Sequence, residues 1–294
     1  MKNKFSKNSA KKKNTIKFVV IITCIILLIT GIILLIIGSK NIIEVTNTND
    51  DAKFVSDDIA KNSNAILVNN LLVGAVYKDN WVSSERFYFL SDNKEGTKVD
   101  VYTKSGKKGT YELQNITKGA NESAVYISTS NSNKNDEYIA TTISNKDIMP
   151  LPAQKNNNIS EDEKILVKKS LGKYKVLNSS VRIQEAYDVQ IDNSNKGKIY
   201  VVNSESGKNM GGYSGIIYIR DNGEAYIVKY SYVANLKKSS DWPIYSFKFI
   251  ADLNQDGKCE LIIQETKEFS VSYDVIEYSN NKFVQVLSSS MKIK

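Results

Sequence analysis

The feature that most constrains this chain is an uninterrupted apolar stretch at residues 18–38, FVVIITCIILLITGIILLIIG. It contains twenty-one residues and no charged side chain. As a helix rising ~1.5 Å per residue, it would extend ~31 Å, which is about the thickness of the hydrocarbon core of a bilayer. The stretch therefore predicts one transmembrane helix, and every other segment is interpreted by the side of the membrane on which it falls.

The charges that flank this stretch predict its orientation. Residues 1–17 contain seven lysines and no acidic residue. Lysine and arginine next to a span stay on the cytoplasmic side, so the N-terminus is expected inside and the long C-terminal part outside the cell membrane. A cleaved signal peptide is the competing interpretation. Signal peptides have apolar cores of ~7–15 residues and a small-residue cleavage site, and this sequence has a longer core and no such site.

The net charge of +8 belongs to the N-terminal tail. Taking its seven lysines from the 40 Lys and Arg leaves 33 beyond the tail, against 32 Asp and Glu, a balance of +1. Nucleic-acid binding requires a basic patch on the folded part of a protein, so no nucleic-acid partner is expected. The basic tail instead suits the anionic lipid of the inner leaflet.

Composition also argues against an enzyme. The chain has no histidine, which removes Ser-His-Asp and Cys-His nucleophiles and the usual zinc sites. Ser-x-x-Lys matches, among them those at Ser105 and Ser170, are expected by chance in a chain so rich in both residues, so they do not indicate a serine-acyl enzyme. Cys259 is the single cysteine after the apolar stretch, so no disulfide forms within the outer part.

The outer part is predicted to be mainly β, with two antiparallel domains. Short runs rich in Val, Ile, Tyr and Phe, separated by polar turns, predict a small barrel or sandwich in the first of them. These runs are at residues 66–77, 85–90, 98–103, 109–116 and 123–129. Pro150 and Pro152 lie in a polar segment that marks a boundary. The predicted division is a tail at 1–17, a span at 18–38, a stalk at 39–65, a β domain at 66–148, a linker at 149–158 and a second β domain at 159–294.

The second domain is predicted to begin with a short helix and to contain two related units of about sixty residues, each with four strands. Ser160 and Glu163 have the spacing of a capping box at the start of the helix. With a shift of sixty residues, Asp192 corresponds to Asp252. Each unit ends in a hairpin whose turn, Asn222-Gly223 or Asn280-Asn281, suits positive φ angles. Such units are typical of propeller blades, but two cannot close a propeller. They are expected to pack face to face or to share a core with the preceding domain.

One loop of the second unit has the pattern of a calcium site. Oxygen-bearing side chains alternate, a glycine permits a sharp turn, and a further carboxylate follows, which is what a hard cation requires. The candidate ligands are the side chains of four residues and the carbonyl of a fifth: Asp252, Asn254, Asp256, Glu260 and Lys258. The first unit lacks this set, and a solvated acidic turn without metal remains the alternative interpretation.

The loop at residues 252–260 resembles the calcium loops of FG-GAP/VCBS-like repeats, known from integrin α-subunit propellers and many bacterial surface proteins. An EF-hand does not fit, because Ile263 occupies the position of its last glutamate. Glu260 also departs from the usual aspartate of the resembled loop. The layout of the whole chain resembles anchored surface proteins of Gram-positive bacteria, a resemblance that implies no activity.

Together these features predict a non-catalytic module of the cell envelope that is held by one span and binds a ligand or protein partner, with Ca²⁺ ordering one loop. Two alternatives stay open. The first is an enzyme that acts on wall polymers through paired carboxylates, although no acid/base pair is recognisable. The second is a membrane-tethered sensor or regulator whose short tail signals through a partner.

The uncleaved span predicts that the membrane-bound protein keeps its N-terminal tail. We expect mass spectrometry of the purified protein to give the mass of a chain that includes residues 1–38, because no cleavage site follows the apolar core. A mature N-terminus near residue 40 would contradict this prediction and favour a signal peptide.

Overall fold

The structure, a computed structural model, describes residues 63–90, 96–118, 125–129, 137–142, 154–155, 158–172, 182–204, 212–233 and 242–293. The predicted tail, span and most of the stalk lie outside these ranges, as does most of the predicted linker. Within the described ranges, no helix has the length and apolar character needed to cross a bilayer. The mainly-β prediction is confirmed, because the described residues form three antiparallel sheets with few helices.

The first sheet, called the barrel sheet here, closes on itself. Its elements are β1 (Asn64–Val68), β2 (Leu71–Tyr77), β3 (Asn80–Ser83), α1 (Ser84–Leu90), β4 (Lys98–Thr103), β5 (Gly106–Lys118), β6 (Val125–Thr129) and β7 (Ile139–Thr141). Hydrogen-bonded neighbours run in the order β1-β7-β4-β5-β6-β2, and β2 pairs with β1 again. Strand β3 also pairs with β2, through an antiparallel hairpin. Leu67, Leu72, Val101 and Leu113 pack together in the interior.

One predicted strand is a helix. The run at residues 85–90 was predicted as β from its aromatic content, but it belongs to α1, Ser84–Leu90. The hydroxyl of Ser83 accepts the backbone N–H of Arg86 at 3.4 Å, in the manner of a helix cap. Phe87 is 2% exposed and packs in the barrel interior. Local capping and one buried aromatic ring therefore override the β preference of the run.

The apolar run at residues 66–77 forms two strands rather than one. Asn69, with φ of 54°, turns β1 back into β2, and its side chain accepts the backbone N–H of Tyr138 at 3.1 Å. Strand β1 also begins at Asn64, so the last two residues of the predicted stalk are part of the fold. The physical reason is burial, since Asn64 and Ala65 are each 1% exposed.

The two units of the second half are two β meanders. The first contributes β9 (Arg182–Gln190), β10 (Lys196–Ser204), β11 (Gly212–Arg220) and β12 (Ala225–Val233) to the outer sheet, which also contains β8 (Gln154–Lys155). The second forms the central sheet from β13 (Ile244–Ala251), β14 (Glu260–Lys267), β15 (Ser270–Ser279) and β16 (Lys282–Lys292). A helix, α2 (Glu161–Gly172), precedes them. Asn280 and Asn281 both have positive φ, as the two-residue turn requires.

The two meanders differ in the loop between their first two strands. Residues 191–195 connect β9 to β10, whereas residues 252–259 connect β13 to β14. A fixed shift of sixty residues therefore fails beyond the loop. Gly197 lies in β10, paired with Val189 and Arg220, while Gly257 lies in a loop with φ of 83°. The longer loop is the one that carries the calcium-like pattern.

The central sheet is buried on both faces. Leu261 and Ile263 of β14 pack against the outer sheet, in a core shared with Ile199 and Ile216. Ile262, which points the other way because side chains alternate along a strand, packs against the barrel sheet. Helix α2 covers the far face of the outer sheet with Val167 and Leu171. The layers are therefore helix, outer sheet, central sheet and barrel.

The parts assigned to two domains by the sequence belong to one compact unit, Phe54–Lys294. Polar bonds accompany the shared core between the barrel and central sheets. The amide of Asn69 donates to the Tyr273 hydroxyl at 2.8 Å, and the indole N–H of Trp81 donates to Glu277 at 3.1 Å. The two meanders thus pack face to face, and the second meander also shares a core with the barrel sheet.

Helix α2 is fixed to the outer sheet by Glu163. The capping box is formed, because the Glu163 carboxylate accepts the Ser160 backbone N–H and the Ser160 hydroxyl accepts that of Glu163. The other carboxylate oxygen accepts hydrogen bonds from the ammonium of Lys198 and the hydroxyl of Tyr200. Burial alone would raise the pKa of Glu163, but these hydrogen bonds outweigh burial and lower it to about 2.

We expect Gly74→Ala to lower the free energy of unfolding by about 1–3 kcal/mol, the usual cost of overpacking. A Cβ at this position would lie 2.6 Å from the Val82 carbonyl oxygen and 2.7 Å from a methyl of Leu287 in the central sheet. Urea unfolding followed by tryptophan fluorescence measures the change. Gly172→Ala is the matched control, since its Cβ would meet nothing within 4 Å. Equal stability of the two variants would contradict the close approach of the sheets.

We expect Glu163→Gln to cost about 1–3 kcal/mol at neutral pH, because a charge-assisted pair is lost. A carboxylate whose pKa is lowered stabilises the fold above its unfolded value of 4.5 and loses that contribution as pH falls towards 2. The difference between wild type and variant should therefore shrink over that interval in urea titrations. Glu161→Gln, which removes an exposed carboxylate from the same helix, should change little at any pH. A pH-independent difference would contradict the assigned role.

Candidate metal centre

The loop at residues 252–259 lies where four connections of the two meanders meet. The antiparallel pairings place it at the same end of the sheets as residues 191–195 and the two hairpin turns at 221–224 and 280–281. The backbone N–H of Cys259 donates to the carbonyl of Ile191 at 2.7 Å. This bond links the loop at residues 252–259 directly to the loop at residues 191–195. The candidate loop is therefore held by two rigid strands and a neighbouring loop.

Three of the predicted ligands fold back onto their own loop. Asp252 Oδ2 accepts the backbone N–H of Gly257 at 3.0 Å. Asn254 Oδ1 accepts that of Asp256 at 3.2 Å, and Asp256 Oδ1 accepts that of Lys258 at 2.8 Å. These bonds curl the backbone tightly, which the positive φ of Gly257 permits. Asn254 and Asp256 thus use Oδ1 to hold the loop, and Asp252 uses Oδ2.

The fourth side chain, Glu260, is fully buried at the first position of β14, with 0% of its surface exposed. Its Oε2 accepts the backbone N–H of Leu253 at 2.8 Å. Its Oε1, and likewise Oδ1 of Asp252, are buried and have no hydrogen-bond partner among the described residues. A buried carboxylate oxygen without a partner costs stability unless a proton or a cation reaches it.

The electrostatics of the loop favour an added positive charge. Burial, together with the nearby charges of Asp256 and Asp252, raises the pKa of Glu260 to about 9. Burial also raises the pKa of Asp252, with Asp256 again contributing. In the metal-free protein, the proton on Glu260 removes one of the negative charges from the loop. A divalent cation would instead favour the ionised carboxylates and would lower their pKa values.

All five predicted residues therefore lie on one loop, but they are not yet arranged as ligands. No group of three or more His, Cys, Asp or Glu within the described ranges is placed to hold a metal ion. Lys258 contributes its amide to Asp256, and its ammonium lies 4.0 Å from the same carboxylate. Ligation would require these side chains to exchange loop hydrogen bonds for metal contacts and Lys258 to swing outwards.

The corresponding loop of the first meander is closed by its own hydrogen bonds. Asp192 Oδ1 accepts the backbone N–H groups of Ser194 and Asn195 at 2.7 and 2.8 Å, and Oδ2 accepts the Asn195 side-chain amide at 2.6 Å. Burial would raise the pKa of Asp192, but these bonds lower it. Both oxygens are satisfied here, which distinguishes this loop from the loop at Asp252.

One contact without any local sequence signal links the candidate loop to the start of the fold. The side-chain amide of Asn64, in β1, donates to the carbonyl of Leu253 at 3.4 Å within the buried interior. Leu253, between two predicted ligands, is thus bound through its N–H by Glu260 and through its carbonyl by Asn64. The two partners are 189 residues apart, so no local pattern could have revealed the contact.

Comparisons of this chain with protein-family models, with curated proteins and with solved structures found no match. The resemblance of the loop to FG-GAP/VCBS-like repeats consequently stays a prediction from the sequence.

Proposed function

We propose that this chain is a non-catalytic binding or structural module of the cell envelope, held in the membrane by residues 18–38, whose loop at residues 252–260 binds Ca²⁺. The side chains of Asp252, Asn254, Asp256 and Glu260 and the backbone carbonyl of Lys258 are the proposed ligands. The proposal takes the loop as a degenerate member of the FG-GAP/VCBS-like type and the outer part as extracytoplasmic.

The observation that carries the metal proposal is the pair of buried, unpartnered oxygens, Oδ1 of Asp252 and Oε1 of Glu260. Oxygen ligands from carboxylates, an amide and a carbonyl match the preference of Ca²⁺. Three carboxylates in one short loop repel one another, and a divalent cation removes that repulsion. Affinity is expected on the order of 10⁻⁴–10⁻³ M, the range of extracellular modules.

Calcium in this loop would act on the fold through Leu253. Its N–H and carbonyl bind Glu260 and Asn64 respectively, so ordering the loop would also hold the beginning of β1. In the proposed arrangement β1 is where the chain enters the folded unit from the membrane side. A cation there would fasten the anchored end of the module to the central sheet.

The non-catalytic part of the proposal rests on the site chemistry. Three cavities are lined by described residues, and their linings contain one carboxylate, that of Glu137. This carboxylate forms ion pairs with Lys104 and Lys248. A glycosidase of the wall would need two carboxylates facing one substrate bond. A binding or structural role is therefore the function best supported.

Thermal unfolding of the full chain in lipid nanodiscs, with Ca²⁺ and with chelator, tests the metal proposal. Calcium at tenfold its Kd should add about 1.4 kcal/mol to the free energy of unfolding, which raises Tm by about 3–6 °C for a unit of this size. Asp256→Ala and Glu260→Gln should abolish the gain. Glu260→Gln keeps an acceptor for Leu253 and removes only the ability to ionise, so its fold in chelator should persist.

Asp192→Ala is the matched control for these melts. It removes an aspartate from the neighbouring loop, whose oxygens are already satisfied, so the variant should lose some stability and keep the full response to calcium. Identical midpoints for the wild type with calcium and with chelator would refute the metal site and leave residues 252–260 as a solvated turn.

A further inference from the structure

A second candidate site lies at the same end of the two meanders. A cavity of about 450 Å³ opens between helix α2 and the hairpin turns at residues 221–224 and 280–281. Small-molecule sites in proteins measure roughly 300–1,000 Å³ and combine apolar walls with a few polar groups. The cavity has both the size and the composition of such a site.

Two aromatic rings form one side of the cavity. The rings of Tyr226 and Phe283 stand at 77° to each other with their centroids 6.3 Å apart, and both residues are half-buried. Leu166 of α2 and Ile227 of β12 add aliphatic surface. Two rings that meet at a steep angle suit a planar guest, which can stack on one and meet the edge of the other.

The aromatic side is held rigidly by a polar network behind it. The guanidinium of Arg220 donates to Glu224 at 2.7 Å and to the hydroxyl of Tyr278, and it lies 5.3 Å from the centre of the Tyr226 ring. The Tyr226 hydroxyl donates to the same Glu224 carboxylate at 3.0 Å. A site whose walls are already fixed loses little entropy when a ligand enters.

The charges that line the cavity are positive. Lys169, in the last turn of α2, and Lys282, at the start of β16, both contribute to its lining, and no Asp or Glu does. Neither lysine forms an ion pair within the described part of the chain. Glu224, which lies between the lining residues Gly223 and Ala225, accepts hydrogen bonds from Arg220 and Tyr226. Two ammonium groups beside an aromatic wall select a ligand that carries both a ring and a negative charge.

We propose that this cavity binds a small planar aromatic carboxylate, with its ring against Tyr226 and Phe283 and its carboxylate between Lys169 and Lys282. The site uses none of the residues of the candidate calcium loop. The binding test for this cavity therefore gives a result that does not depend on whether the loop at residues 252–260 binds calcium.

The probe for this site is 2-naphthoate, with 2-naphthalenemethanol as its uncharged counterpart. Isothermal titration of the full chain in lipid nanodiscs, with empty nanodiscs subtracted, should give saturable binding of the carboxylate and at least tenfold weaker binding of the alcohol. The double variant Lys169→Gln/Lys282→Gln should weaken naphthoate binding about tenfold and change binding of the alcohol less than twofold. Lys98→Gln/Lys292→Gln, the same charge change on exposed strand residues elsewhere, should leave both affinities unchanged.

A third variant tests the location of the ring. Ala225→Trp places a large side chain at an exposed position in the cavity lining, at the first residue of β12, where an aromatic residue is compatible with a strand. It should abolish binding of both compounds while urea unfolding remains that of the wild type. Absence of saturable naphthoate binding, or binding that survives both this variant and the double lysine variant, would overturn the proposal.

Discussion

The fold depends on the burial of the central sheet on both of its faces. Along β14, alternate side chains point to opposite faces, so Leu261 and Ile263 pack against the outer sheet and Ile262 against the barrel sheet. Each sheet alone would expose an apolar face, and the central sheet removes two such faces from water at once. Cys259 is the single cysteine beyond residue 38, so no disulfide can form within that part of the chain, and this burial carries the stability of the folded unit.

The sequence predicts those parts of the fold that depend on interactions between residues close together in the chain. Asn280 and Asn281 identify their hairpin correctly, and Ser160 with Glu163 identifies the start of α2, because these effects act within a few residues. The run at residues 85–90 was misassigned, since the burial of Phe87 and the cap at Ser83 decide a segment whose composition favours a strand. The choice between a barrel and a sandwich, and the way the meanders pack, stayed open in the sequence because both depend on contacts between residues far apart in the chain.

The same distinction between local and long-range signals applies to the two candidate sites. The loop at residues 252–260 can be recognised from its sequence because all five proposed ligands lie within nine residues. Its attachment to Asn64, and the burial that leaves Glu260 without a full set of partners, require the tertiary structure. The cavity beside α2 is assembled from one helix and two hairpins, so none of its residues stands out in the sequence.

Glu260 is the residue whose presence folding alone explains least. It is fully buried beside Leu261, at a position where an apolar side chain would pack without any cost of desolvation. Only one of its oxygens is hydrogen-bonded, and burial raises its pKa to about 9. Natural sequences break the rules of core design chiefly at functional sites. The equivalent cost is absent from the first meander, where both oxygens of Asp192 are hydrogen-bonded and the first residue of β10 is the exposed Lys196. A cation bound as proposed for this loop would account for the buried carboxylate of the second meander, because it would pair with the oxygen that the fold leaves without a partner among the described residues.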